Sequence, residues 1–357
     1  IYLRLSQMSK IAVRLKKWIR SKRFWKRFTV AFVTVPTVLF FVLVLIVYVK
    51  QDEIVQGLIS DLNDDFAGAT EIEGSHISMF ENFPYISIDF EHLKVFESKS
   101  KTSDPLIHIH DTYVGFDLWT VLSGKMEIKK IKIKDGDIRL IQHKDGQFNI
   151  VKALSPEHEI ENPEEEFHLD LNTVELENID ISKLNEANGL MVETFISSAH
   201  SKFETSPNHV LAAIDGQFEL NVIKDGDTTF LKHKHIDLDT HIDFLKGRDI
   251  MTIQPTTVHL EGSEFNMSGS IDFLNDALLD LKFSGNKSNF NLFIAMAPEE
   301  MIPALMEYKN EGEIYIKTQI KGKSLNGNTP SINAQFGCHN GYVINPRTGK
   351  KIDKLNF

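Results

Sequence analysis

Histidine is the residue type here whose spacing could do the most specific chemistry, and the chain has fourteen. His108 and His110 flank Ile109, while His233, His235 and His241 alternate with Asp237, Asp239 and Asp243. On strands, each set would share one face. A zinc site needs three or four such ligands converging on one point. Side chains on one strand of a flat sheet diverge, so these sets read as solvated surface histidines and no metal site is expected. Cys338 is the single cysteine, which rules out thiolate metal sites and an internal disulfide. No GxSxG, no phosphate-cradling glycine-rich loop and no HExxH occurs. The paired acids Glu299 and Glu300 follow Pro298 and suit the first turn of a helix. The sequence thus offers no catalytic residues, no metal ligands and no cofactor site, and an enzyme is not expected.

The elements that would carry these residues are mostly strands. "LSGKMEIKKIKIKDGDIRLIQHKDGQFNI", Leu122 to Ile150, alternates apolar and charged side chains, with a phase slip at Lys129 and Lys130 that predicts a β-bulge and a curved sheet. Asp135-Gly136 and Asp145-Gly146 predict tight turns. Period-two patterns recur at Ile86, Ile88 and Phe90, at Leu176, Ile179 and Ile181, at Phe218, Leu220 and Val222, and on to Ile314 and Ile316. They predict a mainly β body, an elongated and curved antiparallel sheet with a few helices. "SPEHEIENPEEE", residues 155–166, reads as an acidic exposed loop. Residues 289–310 read as a helical insert that caps the sheet, with Ile294, Met301, Leu305 and Met306 as its apolar face.

Charge is divided along the chain. Residues 1–27 hold ten Lys or Arg and no acid, leaving twenty-nine basic against fifty acidic side chains, a net of −21, for the rest. An acidic body excludes a basic nucleic-acid interface. Residues 28–49, "FTVAFVTVPTVLFFVLVLIVYV", carry no charge and at about 1.5 Å per residue span roughly 33 Å, enough for a bilayer core. The basic flank predicts an uncleaved single-pass anchor with residues 1–27 in the cytoplasm and residues 50–357 outside it. Trp18, Trp25 and Tyr48 are the predicted interface anchors. Residues 52–66 predict a separate amphipathic helix beyond the membrane. Met8 reads as a natural start.

"ISMFENFPYISIDFEHLKVFE", Ile77 to Glu97, followed by the segment from Leu122 to Ile150, resembles the N-terminal domain of the AsmA family. The resemblance rests on Phe83-Pro84, Leu122-Ser123-Gly124, the bulged strand to Ile133, Asp135-Gly136, and Asp145-Gly146 before Phe148-Asn149. "GSIDFLNDALLDLKFSGNKSNFNLFIAMAPEEMIP", Gly269 to Pro303, adds to it. It implies an inner-membrane protein of diderm bacteria with a periplasmic β-groove. It further implies a role in outer-membrane biogenesis, with glycerophospholipid as partner and a distal part beyond "KKIDKLNF". It transfers no catalytic residue. By phase, the expected groove-lining residues are Ile86, Ile88, Phe90, Ile131, Ile133, Ile138 and Leu140, with an apolar strip that acyl chains would fill. The alternative is a non-enzymatic scaffold or regulator of outer-membrane protein assembly, in contact with envelope proteins and with its apolar face closed as a sandwich core.

Overall fold

The computed structural model describes residues 22–78, 81–82, 85–117, 127–156, 171–224, 227–228, 231–325 and 328–357. Among the described residues one long helix, α1 (Lys22–Asp65), leads into sixteen strands that all belong to one sheet. The proximal strands are β1 (Ala69–Glu71), β2 (Gly74–Ser78), β3 (Ile86–Phe96), β4 (Ile107–Phe116) and β5 (Ile128–Gln142). After the short helix α2 (Asn149–Ala153) come β6 (Thr173–Asn185), β7 (Leu190–Thr205), β8 (His209–Lys224), β9 (Asp227–Thr228), β10 (Lys234–Leu245), β11 (Ile250–Leu260), β12 (Ser263–Asp272) and β13 (Leu278–Lys287). Helices α3 (Asn291–Met296) and α4 (Ile302–Met306) precede β14 (Lys309–Lys323), β15 (Ser331–Ile344) and β16 (Lys351–Leu355). From β3 onward neighbours in the sheet follow sequence order, with β9 a side branch on β8, and the two ends of the sheet do not meet. The sheet is therefore open rather than a closed barrel.

Two expectations need correction. The sheet is mixed, because β5 and β6 run parallel from Lys130↔Thr173 to Gln142↔Asn185. A parallel neighbour needs a crossover to bring the chain back. The long connection that holds α2 and the acidic loop provides the length, although residues 157–170 of that connection lie outside the described residues. Asp135-Gly136, moreover, is no chain-reversing turn: β5 continues through it. Asp145-Gly146 does turn, with Gly146 at φ 88° and its amide bonded to the His143 carbonyl 2.9 Å away. The Leu122-Ser123-Gly124 and Phe83-Pro84 segments lie outside the described residues.

The bulge at Lys129 is present, since Gly115 pairs with Lys130 while Phe116 pairs with Ile128. A second irregularity crosses several strands. His92 (φ 51°), Asp135 (φ 53°) and Asn178 (φ 56°) all take left-handed backbone, and each is skipped in the pairing of its strand. The line ends at a bulge in β7 between Ile196 and Ser198. One left-handed residue reverses the alternation of a strand, so Ile133 before it and Ile138 after it lie on the same face. Asn and Asp suit these positions because their short polar side chains tolerate that conformation. Asn178 also donates its amide to Asp135 Oδ1 at 3.0 Å. Gly136 is required by close approach: a Cβ there would stand 2.5 Å from the His108 carbonyl oxygen.

Helix α1 does not break at Val49. It is continuous to Asp65, so the predicted membrane span and the predicted amphipathic helix are one rod of about 66 Å. Its later turns close one core: Val55, with Leu39, Val44 and Ile59, packs on Ile86, Ile88, Phe90, Val114 and Phe116. At the other end α3 caps β12 to β14 through Leu292, which is buried with Phe265, Ile314, Ile316 and Cys338. That insert is placed as expected, but its apolar face is Leu292, Ile294 and Ala295, while Met301 and Met306 are exposed.

Candidate apolar trough

Cross-strand register assembles the candidate site. Ile179 of β6 stands opposite Ile196 of β7, Ile196 opposite Phe218 of β8, Phe218 opposite Ile236 of β10, and Ile236 opposite Leu260 of β11. Further along, Met267 pairs with Phe283, Leu281 with Ile320, and Ile320 with Ile332. Each strand contributes its apolar residues to one side, so the period of two along the strand becomes an apolar band across the sheet. Ile179 and Ile196 are buried, yet Phe218, Ile236, Leu260, Met267, Phe283 and Leu281 are only half-buried. This partly covered apolar band on one face of the open sheet is the candidate trough.

The other face is ionic. Lys130 pairs with Glu175 at 2.8 Å, and Lys132 bridges Glu81 at 3.0 Å and Glu177 at 3.4 Å. Burial opposes the Lys132 charge, but the hydrogen bonds and charges of Glu81 and Glu177 raise its pKa above the ordinary lysine value. The same contact with Lys132 holds the Glu81 carboxyl low. His233 bonds Glu219 at 2.5 Å and His235 contacts Glu261 at 3.2 Å, so these two histidines are engaged by carboxylates. His241, Asp237 and Asp239 line an open polar hollow of about 870 Å³ on this face.

The seven residues expected to line the groove divide into two groups. Ile86, Ile88 and Phe90 are 0%, 0% and 6% exposed beneath α1, so they form covered core and no open lining. Ile131, Ile133, Ile138 and Leu140 are partly buried, and Ile133 and Ile138 pack with Ile109, Ile179 and Ile196. The structure thus moves the open part of the band distally, to β7 and beyond. Ile196 was not legible in the sequence, because Phe195 beside it in "ETFISSAH" competes for the apolar face and only the pairing of Ile196 with Ile179 and Phe218 reveals its place.

The proximal end of the band meets α1. Phe41, Val44, Leu45, Tyr48 and Gln51 face Ser75, His76 and Ile77 across a cleft of about 590 Å³, pinned by a 2.7 Å bond from Gln51 to the Ser75 carbonyl. A smaller apolar cavity of about 120 Å³ lies between Leu62, Leu93, Val95 and Ala153. Helix α1 is long and apolar enough from Phe28 onward to cross a membrane. Trp25 and Tyr48 are 55% and 68% exposed and about 35 Å apart along it, a spacing that suits the two interfaces of a bilayer. Trp18 lies outside the described residues. No family model and no curated protein matches the sequence.

Proposed function

We propose that this chain is a membrane-anchored trough of the AsmA kind that holds or conducts glycerophospholipid between two membranes. In this reading the amino terminus is cytoplasmic, the body is periplasmic, and the work belongs to outer-membrane biogenesis. The observation that carries the reading is the apolar band itself: it continues strand after strand in register and stays half-open. Apolar surface in water costs about 25 cal/mol per Å², so a band this extended favours an apolar occupant. Acyl chains fit because they need no polar partner along the band, and the charged head group stays at its rim. The proximal cleft beside Phe41 and Tyr48 lies along the part of α1 that is apolar enough to cross a membrane, and in this reading it is where a lipid leaves the bilayer. The mechanism is passive, and the side chains provide surface rather than chemistry.

A photoreactive phenylalanine analogue at Phe218, in the full chain expressed in an envelope with radiolabelled phospholipid, tests this. Irradiation should transfer label to the protein, and the same analogue at Gln217, on the exposed outer face, should give none. Equal labelling at both positions, or cross-links to protein and none to lipid, would favour the scaffold instead.

A further inference from the structure

Three histidines converge where the alternation of β3 and β4 reverses. His92 stands on β3 between the pairs Glu91↔Asp111 and Leu93↔Ile109, and its left-handed backbone turns it toward His108 and His110 on β4. Ring centroids lie 5.0 Å apart for His92 and His110, 5.3 Å for His108 and His110, and 5.9 Å for His92 and His108. One ring nitrogen from each lies within 4.8 Å of the other two. Two nitrogens at 2.1 Å from a tetrahedral ion are about 3.4 Å apart, so small side-chain rotations close the set. Divergence of strand-mates argued against a metal for His108 and His110 alone. The neighbouring strand provides the third ligand, and no spacing within one segment could reveal it.

We propose that His92, His108 and His110 form a binding site for a divalent borderline metal ion, of the zinc class. The surroundings support it. His108 Nδ1 lies 3.7 Å from Asp137 Oδ1, the carboxylate partner that typically orients a ligating imidazole, while His108 Nε2 is buried without a hydrogen-bond partner. Nearby charges balance: Arg139 pairs with Asp137 at 3.1 Å and Lys94 with Glu73 at 2.7 Å, so neither lysine nor arginine is left to repel a cation. His110 is exposed, which gives the ion a path from solvent and leaves a fourth position for water. All-imidazole donors select Zn²⁺, Cu²⁺ or Ni²⁺ over Mg²⁺ and Ca²⁺. A bound ion would tie β3 to β4 at the point where both strands reverse.

Untagged full chain in detergent, stripped with chelator, is titrated with Co²⁺ and then with Zn²⁺. One Co²⁺ per chain should bind with the visible absorption of a four-coordinate site, and Zn²⁺ should displace it and raise the melting temperature. His110→Ala, at an exposed position, should fold like the parent by circular dichroism yet lose affinity at least tenfold, along with the thermal shift. The double variant His233→Ala/His235→Ala should keep both. Absence of stoichiometric binding by the parent, or binding that survives His110→Ala and disappears with His233→Ala/His235→Ala, overturns the assignment.

Discussion

At the scale of single residues, Asp89 is a carboxyl buried close to a second acid, Asp111. It is 1% exposed, and neither carboxylate oxygen makes a hydrogen bond of good geometry, though His76 Nε2 stands 3.4 Å away. Burial, and then the charge of Asp111, push its pKa up to about 6 from the ordinary 3.8. A carboxyl whose folded pKa exceeds its unfolded value favours the folded state while protonated, below about pH 4. That contribution is lost as pH rises through about 6. Asp89→Asn should therefore stabilise the protein at pH 8, by on the order of 2–3 kcal/mol, with the difference vanishing near pH 4. Urea midpoints of parent and variant at the two pH values check this, and an equal gain at both would remove Asp89 ionisation as the cause. Tyr113, raised to about 12 first by burial and then by Asp89, belongs to the same buried patch. None of this was visible in "YISIDFEHL", where Asp89 reads as the polar half of an alternating strand. It is buried only because the polar side of β3 is itself covered there, as the buried Asn82 shows in donating to the Tyr113 carbonyl.

At the scale of elements, the reversal through His92, Asp135 and Asn178 decides which side chains face the trough. Asn178→Val puts a β-branched side chain into left-handed backbone and deletes the bond to Asp135. The expected loss is on the order of 2 kcal/mol, whereas Asn178→Gly should lose only the hydrogen bond, about 1 kcal/mol. Equal stabilities in chemical denaturation would mean that β6 relaxes without strain. The change of phase from Ile131 and Ile133 to Ile138 and Leu140 was legible in the sequence, but its cause was not. Asp-Gly favours left-handed backbone in a hairpin turn and in a kinked strand alike, and only the neighbours that pair across Asp135 distinguish the two. Helix α1 shows the converse. Loss of hydrophobicity after Val49 marks where a membrane would end, while Lys50 and Glu53, paired at 2.5 Å, continue the helix without a break.

For the whole molecule, strand content, the bulge at Lys129 and the capping insert were legible because each follows from local periodicity. The parallel seam between β5 and β6 was not, since it depends on where a distant strand returns. Orientation in the membrane is the prediction that belongs to this scale. Ten basic residues before Phe28 favour a cytoplasmic amino terminus, so Lys144→Cys, at an exposed turn, should react with a membrane-impermeant thiol reagent once the outer membrane alone is permeabilised. Cys338 is buried and should give little background. Labelling that requires lysis of the inner membrane would place the β body in the cytoplasm and end the lipid-bridging proposal. Strand order has one further consequence. From β10 to β16 each strand lies beside the one before it in sequence, so the width of the trough is set by how many residues a strand has and its reach by how many strands there are. Gain or loss of one hairpin would change the length of the sheet by about 10 Å and leave its width untouched, so under the proposed bridging role the reach of the protein would be set by strand number alone.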